Sequence, residues 1–102
     1  MTPDEFKSEV REWADRIGVT YRETHLRSMR NKWASCSSKG RITFDPSLLD
    51  EPDNVRLEAI IHELLHLRYP DHGRMFRMML NTYLNMARDR YRVSDKDCLD
   101  IS

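Results

Sequence analysis

Apolar residues near the start of the chain recur at intervals of three and four, which is the period of one helix face. They are Phe6, Val10, Trp13, Ala14 and Ile17. Thr2, Pro3 and Glu5 form a pattern typical of a helix N-terminus with a capping box. Gly18 is typical of a helix C-terminus, so the sequence predicts an amphipathic N-terminal helix that ends there.

Three short runs in the next part of the chain are rich in β-branched and aromatic residues, as strands are. They are Val19–Arg22, Lys32–Cys36 and Arg41–Phe44. A Ser-Ser-Lys-Gly turn at 37–40 joins the last two runs, so we expect them to form an antiparallel hairpin. Trp33 is expected in the core.

A second helical pattern begins near Pro52 and extends to Leu67 or Arg68. Apolar residues recur along it at helical spacing. Pro70 prevents continuation, because its ring clashes with the preceding turn of a helix. We therefore expect a helix that stops shortly before this proline.

A last helix is expected from about Arg74 to Arg88, and its Met-rich apolar face is expected to fill the core. The polar tail from Arg92 is expected to be loosely held. The predicted elements are a helix, a small antiparallel sheet and two further helices. This order is typical of an α+β fold, which we expect to form one domain over residues 1–102.

Composition places limits on the class of protein. The 102 residues carry 17 basic and 17 acidic side chains, a formal net charge of zero. No apolar run approaches the roughly 20 residues of a membrane helix, and the acidic start does not resemble a signal peptide. We expect a cytoplasmic protein without membrane association, in which Cys36 and Cys98 are reduced thiols.

The charges are unevenly distributed along the chain. Residues 22–41 contain six basic residues and one acidic residue, and residues 68–92 contain six and two. Residues 45–58 contain five acidic residues and one basic residue. We interpret these segments as solvent-exposed faces of opposite charge whose charges offset each other. Nucleic-acid binding by the basic segments is a weakly supported alternative.

Candidate chemistry is concentrated in one segment. His62 and His66 are four residues apart on the second predicted helix, which places both imidazoles on one face. Glu63 follows the first histidine, and His72 follows the helix-breaking proline. Three histidines at this spacing predict a catalytic zinc site with an open fourth position, and Glu63 is then the general base acting on water.

These residues carry a family resemblance. The segment Met29–Gly40, with its Trp33-Ala34-Ser35-Cys36-Ser37 core, and the segment His62–His72 together resemble the YgjP-like metallopeptidases, relatives of the SprT-like zincins. The likeness covers about residues 17–85, with Ala34 where the family usually has Gly. The family also usually has an N-terminal β-rich extension, so this chain is expected to be a near-minimal version.

The resemblance implies a zincin-like fold with one Zn²⁺ per chain on His62, His66 and His72, and Glu63 as catalytic base. It implies a zinc metallopeptidase whose partner is a peptide or protein substrate. The substrate is expected to lie extended along Arg41–Asp45 or the hairpin strand paired with it. The alternatives are a zinc-binding module without peptidase activity, a DNA-associated protease and a purely structural helical domain.

The sequence does not decide which residues assist the metal ligands and the catalytic base. Tyr69 and Tyr83 are the candidate donors to the oxyanion. Asp71 or Glu58 is a candidate to orient a ligand imidazole. His25 is expected to be a surface residue. The thiol of Cys36 is expected to pack as a small apolar group, with redox sensing or contact with the metal as alternatives.

Overall fold

The structure, a computed structural model, describes the backbone of residues 1–101 and the side chains of residues 1–88. The elements run in the order helix, three strands, a 3-10 turn and two helices. The helices are α1 (Pro3–Ile17), α2 (Asp53–Leu65) and α3 (Arg74–Ile101); the strands are β1 (Glu23–Leu26), β2 (Ala34–Cys36) and β3 (Arg41–Phe44); the 3-10 turn is Pro46–Asp50.

Helix α1 has both of the termini that its sequence predicts. The Glu5 amide donates to Thr2 Oγ1 at 3.1 Å, and the Thr2 amide donates to Glu5 Oε1 at 2.8 Å, which is a complete capping box. Gly18 closes the helix in the left-handed region, with φ of 81°. All five apolar residues of the predicted face are buried.

The sheet is mixed, with the strand order β1-β3-β2. Strands β2 and β3 form the predicted antiparallel hairpin, whereas β1 pairs with β3 in parallel. The expectation of a wholly antiparallel sheet is therefore wrong in this detail, although the α+β class is confirmed. The first strand is Glu23–Leu26 rather than Val19–Arg22.

Two contacts, one local and one between strands, explain the displaced strand. The amide of Val19 donates to Ala14 O at 3.0 Å, so the start of the predicted strand completes the C-terminus of α1. Glu23 lies opposite Arg41 in the sheet, and Arg41 Nε is 2.6 Å from Glu23 Oε1. Residues 19–22 thus connect helix and sheet.

Helix α2 is packed between α1, the sheet and α3. Arg56, only 5% exposed, joins it to α1 through Glu9, with Arg56 Nε 2.6 Å from Glu9 Oε1. Arg56 also pairs with Asp53 at 2.6 Å. The buried apolar residues of all three helices and of β3 form one cluster within the described part of the chain.

Helix α3 extends beyond the predicted end at Arg88, because residues 89–101 contain neither proline nor glycine to stop it. The expected loose tail from Arg92 and the thiol of Cys98 lie outside the described side chains. Among the described residues, none of the helices is long and apolar enough to traverse a bilayer.

One expectation about the core is wrong, and another is confirmed only in part. Trp33 is 46% exposed, since it precedes β2 instead of lying within it. The methionines of α3 fill the core only in part: Met79 packs against it, whereas Met75 and Met86 are exposed.

Candidate metal centre

Three imidazoles converge where α2 ends and the chain turns into α3. His62, His66 and His72 each present a nitrogen, and these atoms lie within 4.8 Å of one another. His66 Nε2 and His72 Nε2 are 3.0 Å apart. The ring centroids are separated by 4.7 to 5.0 Å. The three histidines singled out from the sequence thus form one cluster, in which His62 and His66 are half-buried and His72 is exposed.

The backbone at the end of α2 sets this arrangement. The helix ends at Leu65, before the predicted end at Leu67 or Arg68. His66 is the C-cap and keeps right-handed helical angles, with φ of −64° and ψ of −19°. The one-turn spacing of His62 and His66 is therefore preserved.

The tautomer of His66 follows from its hydrogen bond to the turn. His66 Nδ1 lies 3.2 Å from the carbonyl oxygen of Tyr69, which can only accept. Nδ1 therefore carries the proton, and the Nε2 lone pair faces His72. Backbone carbonyls commonly orient metal-binding histidines in this way.

Glu63 lies beside the cluster. Its side chain is buried to nearly nine-tenths, and Oε2 is 3.1 Å from His62 Nδ1. Because a carboxylate accepts, His62 Nδ1 carries the proton and its Nε2 is free for a metal. Among the described residues, the hydrogen bonds of Glu63 use Oε2 and leave Oε1 without a partner.

Phe76 forms the floor of the cluster. Its ring centroid is 5.1, 4.8 and 4.8 Å from those of His62, His66 and His72. The residue is only 2% exposed, so it fixes the positions of the imidazoles from the protein interior. The sequence predicts an apolar face on this last helix but gives no sign of the contact between Phe76 and the histidines.

The donor set fits a zinc ion. Tetrahedral zinc at 2.0–2.1 Å from two imidazole nitrogens places those nitrogens about 3.4 Å apart. The 3.0 Å between His66 Nε2 and His72 Nε2 is close to that separation, and the nitrogens of all three histidines lie within 4.8 Å of one another. Three neutral nitrogen ligands also suit zinc and leave a position for water or substrate.

Comparison with known families agrees with this geometry. A family model described as the YgjP-like metallopeptidase domain matches residues 2–94. The chain belongs to the YgjP-like family. The match extends well beyond the motifs at residues 29–40 and 62–72 and includes α1 and much of α3, so it confirms the resemblance and classes the chain among metallopeptidases.

A solved structure shares the fold. The chain is similar to the metallopeptidase zymogen of Pyrococcus abyssi abylysin, with 22% sequence identity and a TM-score of 0.69. The likeness covers 87% of this chain and 93% of that one, so the two are of similar length. No curated protein matches the sequence.

The other candidate residues have separate positions. Tyr69 contributes its backbone carbonyl to His66, and Tyr83 packs against the core. In the described part of the chain, neither Asp71 nor Glu58 hydrogen-bonds an imidazole of the cluster; Glu63 and the Tyr69 carbonyl do.

The remaining histidine and Cys36 lie outside the cluster. His25 is exposed as expected, 3.3 Å from Glu23. Cys36 is a half-buried free thiol on β2, and its Sγ donates to Ser37 O at 3.6 Å. Burial raises the pKa of this thiol, and the charge of Glu63 adds to the shift. The neutral form is thereby favoured, as for a packed apolar group.

Proposed function

We propose that the chain is a zinc-dependent peptidase in which His62, His66 and His72 hold one zinc ion and Glu63 is the general base. The observation that supports it most strongly is the convergence of three imidazoles beside a buried carboxylate. Zinc bound there would polarise a peptide carbonyl and acidify a water molecule.

Hydrogen bonds within the protein fix the tautomers of His62 and His66. The Tyr69 carbonyl and Glu63 accept from Nδ1 of His66 and His62, so both rings would hold a metal through Nε2. The Phe76 ring keeps water away from the inner side of these imidazoles.

Glu63 is placed for proton transfer. One carboxylate oxygen is held by His62, and the other is without a partner among the described residues. The free oxygen takes the proton of the attacking water and then gives it to the leaving amine. Because the Glu63 carboxylate is largely buried, the effective dielectric constant around it is low, and this strengthens its electrostatic interaction with nearby charges.

The sheet offers one edge for the substrate near this site. Strand β3 is paired on both sides, so residues 41–45 cannot take up a further strand, contrary to one of the two expectations. Its hairpin partner β2 has one neighbouring strand and lies against α2. A peptide substrate is therefore proposed to pair with the free edge of β2.

Glu63→Gln tests the proposal. The variant retains an oxygen that accepts from His62 but loses the base, so zinc affinity should be unchanged. Hydrolysis of casein and of a mixed peptide library should fall by about 10²- to 10⁴-fold. Glu58→Gln, an exposed carboxylate on the same helix, is the matched control and should behave like the parent.

Two outcomes would contradict this assignment. Weaker zinc binding by Glu63→Gln, with no parental turnover, would make Glu63 a fourth ligand in a structural site. Zinc binding by parent and variant without turnover of either substrate would favour a binding module.

A further inference from the structure

A groove of about 470 Å³ lies on the side of the molecule formed by α1 and β1. Its walls are Lys7, Arg11, Ala14 and Asp15 of α1, and residues 19–24, which connect α1 to β1 and begin the strand. No residue of β3 is among those lining it, so the groove lies toward the free edge of β1.

The groove is separate from the metal centre. Glu9 marks the side of α1 that faces α2, because it pairs with Arg56. Lys7 and Arg11 are each two residues from Glu9, which places them about 160° around the helix from it. The groove is therefore on the side of α1 that faces away from α2, and α1 lies between the groove and the histidines of α2.

The charges in the groove are mainly positive. Lys7, Arg11 and Arg22 line it, and within the described part of the chain the structure shows no ion pair for any of them. Glu23 is neutralised by Arg41 at 2.6 Å. Asp15 is the remaining carboxylate, so the uncompensated charge favours an anionic occupant.

The edge of β1, which the groove reaches at Thr24 and which continues past it to Leu26, also offers unpaired hydrogen-bonding groups. The amide of Glu23 donates to Gly40 O, just before β3, and the amide of Arg27 donates to Phe44 O at the end of β3. Successive residues of a strand direct these groups to opposite sides, so the backbone groups of Thr24 and Leu26 face away from β3. Thr24 Oγ1 has no hydrogen-bond partner, and among the described residues it is the one fully buried side-chain nitrogen or oxygen of which this is true.

We propose that this groove binds an extended, acidic peptide segment of a partner protein. Its backbone pairs with the outer edge of β1 at Thr24 and Leu26, and its carboxylates contact Lys7, Arg11 and Arg22. Extended chain is favoured over a free phosphate because the cations lie along a groove beside a strand edge. The inference does not depend on the proposed peptidase activity.

The test uses the full chain and a fluorescein-labelled peptide of alternating Glu and Thr residues. Anisotropy titration at low ionic strength should show binding, and the same peptide with Gln for Glu should bind more weakly. Lys7→Gln/Arg11→Gln should lower the affinity for the acidic peptide about five- to tenfold. Lys32→Gln/Lys39→Gln removes the same charge from the hairpin and should leave the affinity unchanged.

Amide chemical shifts then locate the bound peptide. Shifts of Thr24 and Leu26 with the peptide, but not with inorganic phosphate, are expected, with and without zinc. Equal effects of phosphate would indicate a small-anion site and overturn the peptide proposal. Binding that requires zinc, or equal losses in both double variants, would overturn it as well.

Discussion

The ring of Phe76 stacks on the imidazole of His66, with centroids 4.8 Å apart and planes inclined by 26°. The same ring approaches His62 and His72 at similar distances. Since Phe76 is the third residue of α3 and His62 belongs to α2, the packing of these two helices sets the geometry of the histidine cluster.

Phe76→Leu should weaken zinc binding about tenfold, the lower part of the range for groups that orient metal ligands. Leucine keeps an apolar side chain but has no flat face for the three rings. Zinc affinity measured against a competing indicator checks this, with circular dichroism to verify folding. Leu80→Ala, one turn further along α3 and packed against the same core, should lower stability without changing zinc affinity.

His72→Ala should remove most zinc binding, because two imidazoles seldom hold zinc against competing ligands. His72 is exposed, so its loss should cost the metal-free protein little stability. The rise in Tm on adding zinc should disappear in this variant and persist in His25→Ala, a histidine outside the cluster. An unchanged Tm rise in His72→Ala would show that the third ligand is misassigned.

Helix α1 and strand β1 differ in how well their positions could be predicted from the sequence. The ends of α1 depend on contacts within a few residues, such as Thr2 with Glu5, and these were predicted correctly. The position of β1 depends on pairing with β3, 18 residues further along, and on Glu23 meeting Arg41. Such parallel pairing has no local signature, so the strand was misplaced.

At the candidate metal centre, too, features set by local sequence were predicted and contacts between distant parts of the chain were not. The spacing of His62 and His66 on one helix and the break at Pro70 were sufficient to predict that His72 joins them. The Tyr69 carbonyl and the Phe76 ring were missed, because a backbone acceptor has no sequence signal and a buried aromatic residue resembles any core residue.

Two ion pairs of equal length, one formed by Arg56 and one by Arg41, allow the effect of burial on the strength of an ion pair to be tested. Each guanidinium has its Nε 2.6 Å from a glutamate oxygen, but the Arg56–Glu9 pair is buried and the Arg41–Glu23 pair is exposed. Burial disfavours the charge of Arg56, yet hydrogen bonds to Glu9 and Asp53 outweigh it and raise the pKa of this side chain.

Arg56→Gln should therefore lower the free energy of unfolding by about 3 kcal/mol, because Glu9 loses a buried partner. Arg41→Gln should cause a much smaller loss, as exposed pairs do. Urea unfolding monitored by circular dichroism measures both, and equal losses would show that burial does not decide the strength of these pairs.

Asp45 links the loop before β2 to the 3-10 turn and predicts a pH dependence of stability. Hydrogen bonds from the Met29 amide and from Ser47 hold the pKa of this carboxyl below its usual value. A lowered folded-state pKa stabilises the fold above the unfolded-state value, near 3.9, and this stabilisation is lost as the pH falls through the lower value. Asp45→Asn should therefore be less stable than the parent by a constant amount between about pH 5 and 7.

The difference between parent and Asp45→Asn should shrink below about pH 4, as the parent carboxylate takes up its proton. Urea midpoints across this range measure it. Asp50→Asn, an exposed carboxyl at the end of the 3-10 turn, is the control and should show no such trend. A difference that grows in acid would contradict the assignment, since it would require the carboxyl to be more stabilising when protonated.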